Sequence, residues 1–250
     1  MLFLDWLDDV VKKFRSDGLL STVYRGVDYF RRRIYSEYQR LKLGFSYRQA
    51  VPEPFKVLYI NPDEIRHLQV SSFVGGRATY RDSTHVLGGD WDRPLEETDG
   101  RGVKPFEEYS RYQRSKQYIE DDRDWESIDF EDTDRINHKK QKIQKVARLY
   151  DKIKDEGYRS MRDIGIRRPL FPPEREEVRV AIGRKGEFIF QDGRHRLIAS
   201  KLLGIEEIPV VVLIRHKEWQ EKREKAVNNL EELDQKYRKH PDIEYLIQDS

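Results

Sequence analysis

The sequence predicts an α+β protein, a small mixed sheet packed with helices. Around this core it predicts an N-terminal helical extension, a large insertion after the first strand and a C-terminal charged helix. Three stretches carry the expectation. Val178, Val180 and Ile182 alternate with polar or small residues, then Gly183-Arg184-Lys185-Gly186 turns the chain and Phe188 and Phe190 alternate again. That is the pattern of a β-hairpin whose first strand is half-buried. Ile208 to Ile214 is an unbroken apolar run, as in a strand buried on both faces. Between them Arg196 to Leu203 reads as a helix with Leu197, Ala199, Leu202 and Leu203 on one face, and Gly204 suits the position just past its end.

The remaining elements follow in chain order. Residues 1–50 read as two or three helices. Leu4, Leu7, Val11 and Phe14 lie at helical spacing, Gly18 marks a break, and Val23, Val27, Phe30 and Ile34 repeat the period beside Arg31-Arg32-Arg33. Such a basic amphipathic segment either packs as an accessory helix on its own domain or a partner subunit, or lies on an anionic membrane surface. Val51-Pro52-Glu53-Pro54 is a linker, because proline disfavours helix at itself and just before itself. Phe55 to Ile60 reads as the first strand and Asn61-Pro62-Asp63-Glu64 as the turn that closes it. The core domain is placed at residues 55–215, with an insertion at 66–137. His138 to Glu156 is a helix with Ile143, Val146, Ala147, Tyr150 and Ile153 as its apolar stripe, ended by Gly157. Residues 216–250 form a charged helix through about Arg238 and a tail, with Leu230, Leu233 and Tyr237 as a thin apolar edge.

Composition removes several functional classes. The net charge is only +2, which argues against a protein that coats nucleic acid. There is no cysteine, so disulfides and thiolate metal sites are excluded. No apolar run reaches the length of a transmembrane helix and no secretory signal is visible, so the expected location is cytoplasmic, with a peripheral membrane position open through residues 1–50.

The insertion holds Gly88-Gly89-Asp90-Trp91-Asp92, two carboxylates flanking an aromatic ring. Asp90 and Asp92 together are candidate oxygen ligands for Mg²⁺, a hard cation. The acidic runs at 120–126 and 129–134 lack the glycine of a calcium-binding EF-hand loop and read as solvated surface. Trp91 and Trp125 mark the insertion either as a lid or acceptor-recognition element or as a packed structural one. Arg215 and His216, just past a buried strand, read either as ligand groups or as ion-paired surface.

The chemistry concentrates at Asp192-Gly193-Arg194-His195-Arg196, between a strand end and a helix start. The first N–H groups of a helix have no internal acceptor and attract anions. Gly193 allows close backbone approach, and arginine grips phosphate in bidentate fashion. The box therefore reads as a phosphate site, against a solvated turn capped by Asp192.

This box, with Ala199 and Leu203-Gly204 of its helix and the strand Ile208-Pro209-Val210-Val211-Val212, resembles the ParB/sulfiredoxin superfamily over about seventy residues. The Asp-Gly-x-His-Arg spelling is nearest to its free-serine kinase branch. The resemblance implies that Gly193, Arg194, His195 and Arg196 hold the phosphates of ATP, ADP or CTP with Mg²⁺. It offers Glu64 or Asp63 as general base, alternatively as a helix N-cap. A kinase here would use Asp192 and His195 as further catalytic residues, with Asp192 or the Asp90/Asp92 pair supplying metal oxygens. Sulfiredoxin chemistry needs a cysteine where Arg194 stands. A partition-type DNA clamp needs a long helix-turn-helix region that the tail is too short to supply, so DNA is not an expected partner. The expected function is a nucleotide-dependent kinase of a small-molecule or lipid-linked hydroxyl. The alternative is a non-catalytic nucleotide-binding regulatory module contacting protein, membrane or DNA.

Overall fold

The computed structural model describes residues 19–70, 84–100, 102–130, 135–165 and 172–248. The expected first helix with its break at Gly18, the Gly75-Gly76 pair, residues 131–134 and Pro169 with the two residues after it lie outside the described residues. Seven helices and seven strands are present among the described residues. In order they are α1 (Leu19–Ser46), β1 (Val57–Ile60), β2 (Ile65–Gln69), β3 (His85–Leu87), β4 (Val103–Pro105), α2 (Ser110–Glu120) and α3 (Ile136–Glu156). Then come β5 (Val178–Ile182), β6 (Phe188–Asp192), α4 (Arg194–Leu202), β7 (Ile208–His216), α5 (Lys217–Asn228), α6 (Gln235–Arg238) and α7 (Pro241–Gln248).

The architecture is α+β with one open mixed sheet. Its strand order is β1-β7-β5-β6-β2-β4, and β3 also pairs with β7. β7 is long enough to hold two partners end to end on one side. β1 runs antiparallel to its first half, Val57 opposite Val211, and β3 runs parallel to its second half, His85 opposite Ile214. On its other side β7 runs parallel to β5, which turns back into β6. β6 in turn pairs in parallel with β2.

Period-two alternation sends side chains to two different cores. Val178, Val180, Ile182, Phe188, Phe190, Val210 and Val212 face a helical layer containing Val146 of α3, Leu197 and Ile198 of α4, Trp219 of α5 and Ile243 of α7. Ala181, Ile189, Val211, Leu213 and Ile214 face the other way and meet Trp91 and Val103 of the insertion. All five residues of β5 are therefore buried. The expectation of a half-buried strand is corrected for a physical reason: residues 84–103 roof the face that alternation had left to solvent. Trp91 and Trp125 both serve packing. Trp91 is 9% exposed in the second core, a burial of the kind that stabilises a large side chain by about 1.5–3 kcal/mol. Trp125 lies 4.1 Å from the ring of Tyr118, with Lys140 Nζ 5.0 Å from its centre.

The C-terminal region departs most from expectation. The charged helix stops at Asn228, and α7 follows after a 3-10 turn at Leu230–Glu232 and the short α6. α7 delivers Asp242 to the interior. Arg215 donates to both Asp242 oxygens, from Nη2 at 2.6 Å and from Nε at 2.9 Å, and Trp219 Nε1 donates to Oδ2 at 2.9 Å. Arg223 Nε stands 3.2 Å from the same carboxylate and its Nη1 donates to the Ala50 carbonyl at 3.0 Å. Arg215, Arg223 and Asp242 are all shut off from solvent. His216 is buried too, its Nε2 donating to the Gly89 carbonyl at 2.9 Å while Nδ1 accepts from the Glu218 N–H. The pair is thus neither a ligand site nor surface.

A cationic pole at the start of α4

Asp192 ends β6 and Gly193 turns the chain into α4. Gly193 has φ 91° and ψ 25°, and a Cβ on it would stand 2.9 Å from the Cα of Val178. Only glycine satisfies both the left-handed backbone and the neighbouring strand. Asp192 fixes the corner: its Oδ1 accepts from the Gly193 N–H at 2.8 Å and its Oδ2 pairs with the buried guanidinium of Arg179.

The three residues that follow part company. Arg194 donates from Nη1 to the Tyr109 hydroxyl at 3.0 Å and its guanidinium lies 6.0 Å from the centre of that ring. His195 is half-buried, and its Nε2 is enclosed without a hydrogen-bond partner among the described residues. Arg196 turns away. It pairs with the buried carboxylate of Glu177, donates to the Arg159 carbonyl and lies 4.8 Å over the Tyr158 ring. Arg196 was expected to grip phosphate. The structure instead directs this guanidinium, 13% exposed, to the Glu177 carboxylate, which neutralises its charge away from the start of α4.

Three cations from other helices act on the same corner electrostatically. Arg111 of α2 and Lys142 and Lys145 of α3 all bear on the His195 ring. Arg111, Lys142, Lys145 and Arg194 form no ion pair with any described carboxylate. Burial and then the charges of Arg111, Lys142, Arg194 and Lys145 push the His195 imidazole down to about 4. Burial and the nearby Arg194 also lower Arg111, against the opposing effect of Tyr109. His195 is therefore neutral at pH 7. These positive charges, held near one another by the fold without an ion pair to a described carboxylate, make a field that attracts an anion.

The other expected site residues lie apart from this pole. Glu64 is exposed in the turn after β1, where the Asn61 side chain caps the turn by accepting from the Asp63 N–H. The residue of that turn that touches α4 is Asp63, 3.4 Å from Lys201. Lys201 is seven residues beyond Arg194, about 10 Å along the helix at 1.5 Å per residue. Lys201 thus ties Asp63 to the C-terminal part of α4, away from its N-terminus.

Asp90 and Asp92, expected to hold a metal, instead bind the hairpin turn. Arg184 donates to Asp92 from its backbone N–H at 2.6 Å, from Nε at 3.0 Å and from Nη2 at 2.7 Å, and Nη2 also reaches Asp90 at 3.0 Å. Burial pushes the Asp92 carboxyl up, and the bonds from Arg184 outweigh it and hold the carboxyl low. A cation here would have to displace a guanidinium already satisfying both oxygens, so the pair does not fit Mg²⁺. Among the described residues no group of three His, Cys, Asp or Glu side chains could hold a metal ion.

A separate cleft of about 570 Å³ opens between the edge strand β1 and the segment before β5. Its walls include Lys56, Tyr59, Ser160, Asp163, Glu174 and Glu177. Glu177 is shared between this cleft and Arg196. Burial raises its carboxyl, and the Met161 N–H and Arg196 only partly offset that.

Among the described residues no helix is long and apolar enough to cross a membrane. Comparison of the chain with family models, curated proteins and solved structures gives no match.

Proposed function

We propose that this chain binds the phosphates of a nucleoside di- or triphosphate at the start of α4, on Gly193, Arg194 and His195 together with Arg111, Lys142 and Lys145. One observation carries the reading: four cations without carboxylate partners among the described residues, drawn from three packed helices, act electrostatically on one half-buried imidazole at a helix N-terminus. A phosphate there gains the positive end of the α4 dipole, the guanidinium of Arg194 and the summed positive field. Its charge offsets repulsion that the empty site sustains.

The choice of a nucleotide, rather than any phosphorylated ligand, rests on the resemblance of the Asp-Gly-Arg-His-Arg box to the ParB/sulfiredoxin superfamily. The order of elements agrees with it: strand, insertion, helix, hairpin, box, helix, strand. In this reading Arg196 and Asp192 are positioning residues, Arg196 anchoring α4 to Glu177 and Asp192 holding Gly193.

Binding is better supported than transfer. Phosphoryl transfer needs a base at the acceptor and charge neutralisation at the phosphates. Glu64 stands at the wrong end of α4, and Asp90 and Asp92 are occupied by Arg184. The kinase reading is retained as second because the 570 Å³ cleft, joined to the box through the shared Glu177, has room for a small acceptor.

Calorimetric titration with ATP, ADP, CTP and GTP tests the primary reading. Binding of at least one is expected, with about a tenfold or larger loss in Arg194→Ala and in Arg111→Ala. Absence of binding by all four, or unchanged affinity in both variants, overturns it. Release or transfer of phosphate by the wild-type chain would promote the kinase reading above it.

A further inference from the structure

α1 presents two faces of opposite character. One face is anchored. Leu43 is buried against the body, and the Tyr35 ring lies 6.1 Å from that of His85. Just beyond the helix, the Ala50 N–H donates to Glu224 Oε1 at 3.0 Å and the Ala50 carbonyl accepts from Gln220 at 2.7 Å. The opposite face carries Val27, Phe30, Ile34, Tyr38, Leu41 and Phe45, spaced three or four residues apart, which is one stripe of an α-helix. These six are 57–80% exposed. Scattered exposed apolar residues are ordinary, but a continuous stripe along a 28-residue helix marks a contact surface.

Charge selects the occupant. α1 contains six basic residues, Arg25, Arg31, Arg32, Arg33, Arg40 and Lys42, against two acidic ones, Asp28 and Glu37. Two copies of such a helix side by side would bring like charges together along the seam, without the acidic partners that a coiled coil needs to set its register. An anionic lipid surface meets both requirements: headgroups for the cations, and an acyl boundary for the stripe, in which aromatic rings are favoured.

We propose that α1 docks this protein on an anionic membrane surface, lying in the interface with Val27, Phe30, Ile34, Tyr38, Leu41 and Phe45 inserted. The site is independent of the phosphate pole. It requires no ligand there.

The test is co-flotation of the full chain with vesicles of phosphatidylcholine alone and of phosphatidylcholine mixed with phosphatidylglycerol. Binding is expected to the mixed vesicles, to fall steeply with added salt and to be weak on the neutral ones. Phe30→Ser combined with Phe45→Ser is expected to weaken binding by about tenfold or more, since burial of the two rings is lost. Both side chains are exposed, 65% and 80%, so this variant retains the fold, which an unchanged melting temperature checks. Failure to bind mixed vesicles overturns the proposal, as does equal binding by the double variant. Concentration-dependent self-association without vesicle binding overturns it in favour of a second copy.

Discussion

Replacing Asp242 by Asn removes one negative charge from between two buried guanidinium groups and changes little else in shape. Arg215 and Arg223 have no access to water, and Asp242 is the carboxylate that neutralises them in the interior. Breaking a buried ion pair by deleting one partner costs about 3–5 kcal/mol, because the remaining charge stays desolvated. For a chain of this size about 2–4 °C of melting temperature goes with each kcal/mol, so Asp242→Asn is expected to melt roughly 6–20 °C lower. Adding Arg215→Met to Asp242→Asn removes one of the two stranded charges and is expected to recover part of the loss. pH supplies an independent check. Burial raises the Asp242 carboxyl, but the charges of Arg215 and Arg223 dominate and hold it at about 2, below the ordinary 3.8. A carboxyl depressed in the folded state gives its full stabilisation above about pH 4 and loses it as pH falls towards 2. Wild type is thus expected to lose stability over that window more steeply than Asp242→Asn. Urea titrations at pH 7 and pH 3 measure both effects. A cost under about 1 kcal/mol at pH 7, or identical acid profiles, would show that the two arginines are solvated and that the ion network does not hold the C-terminal helices to the sheet.

Two further outcomes concern the pole. A bound anion favours the protonated form of His195, raising its pKa from about 4, so phosphate binding is expected to take up as much as one proton and to tighten as pH falls below 7. Calorimetry in buffers of different ionisation enthalpy reads the uptake, and His195→Gln is expected to abolish the His195 share while leaving that from the ligand's own phosphates; identical uptake in both refutes the assignment. Gly193→Ala is expected to cost about 1–3 kcal/mol in a urea titration, since the new Cβ meets Val178 at 2.9 Å on a left-handed backbone; a loss below about 0.5 kcal/mol would mean that the corner relaxes freely.

How much of this was legible in the sequence depended on the range of the interaction concerned. The hairpin of β5 and β6, α4 and β7 were readable because alternation, helical period and Gly183, Gly186 and Gly204 are local signals. The complete burial of β5 was not, since Trp91 comes from nearly ninety residues earlier to cover it. α7 is eight residues long, and Ile243, Tyr245, Leu246 and Ile247 were its apolar signal in a charged tail. At the pole the strand-to-helix corner at Asp192 and Gly193 was readable. Arg196 was misread because nothing near it in sequence announces Glu177, nineteen positions back on a different element. Arg111, Lys142 and Lys145 were missed for the converse reason. On their own helices they are ordinary exposed-face cations, and only the packing of α2 and α3 beside α4 gives them a common target.

The position of β7 sets the order in which this molecule can be assembled. Its neighbours β1, β3 and β5 all precede it in the chain, and Val57 waits for Val211 across more than a hundred and fifty residues. Closing so wide a loop is slow, and on a ribosome the three earlier strands emerge with their hydrogen-bonding edges bare until the last strand arrives. Synthesis therefore passes through a long interval in which most of the polypeptide exists and its central ladder does not, an interval in which chaperones have their opportunity to act.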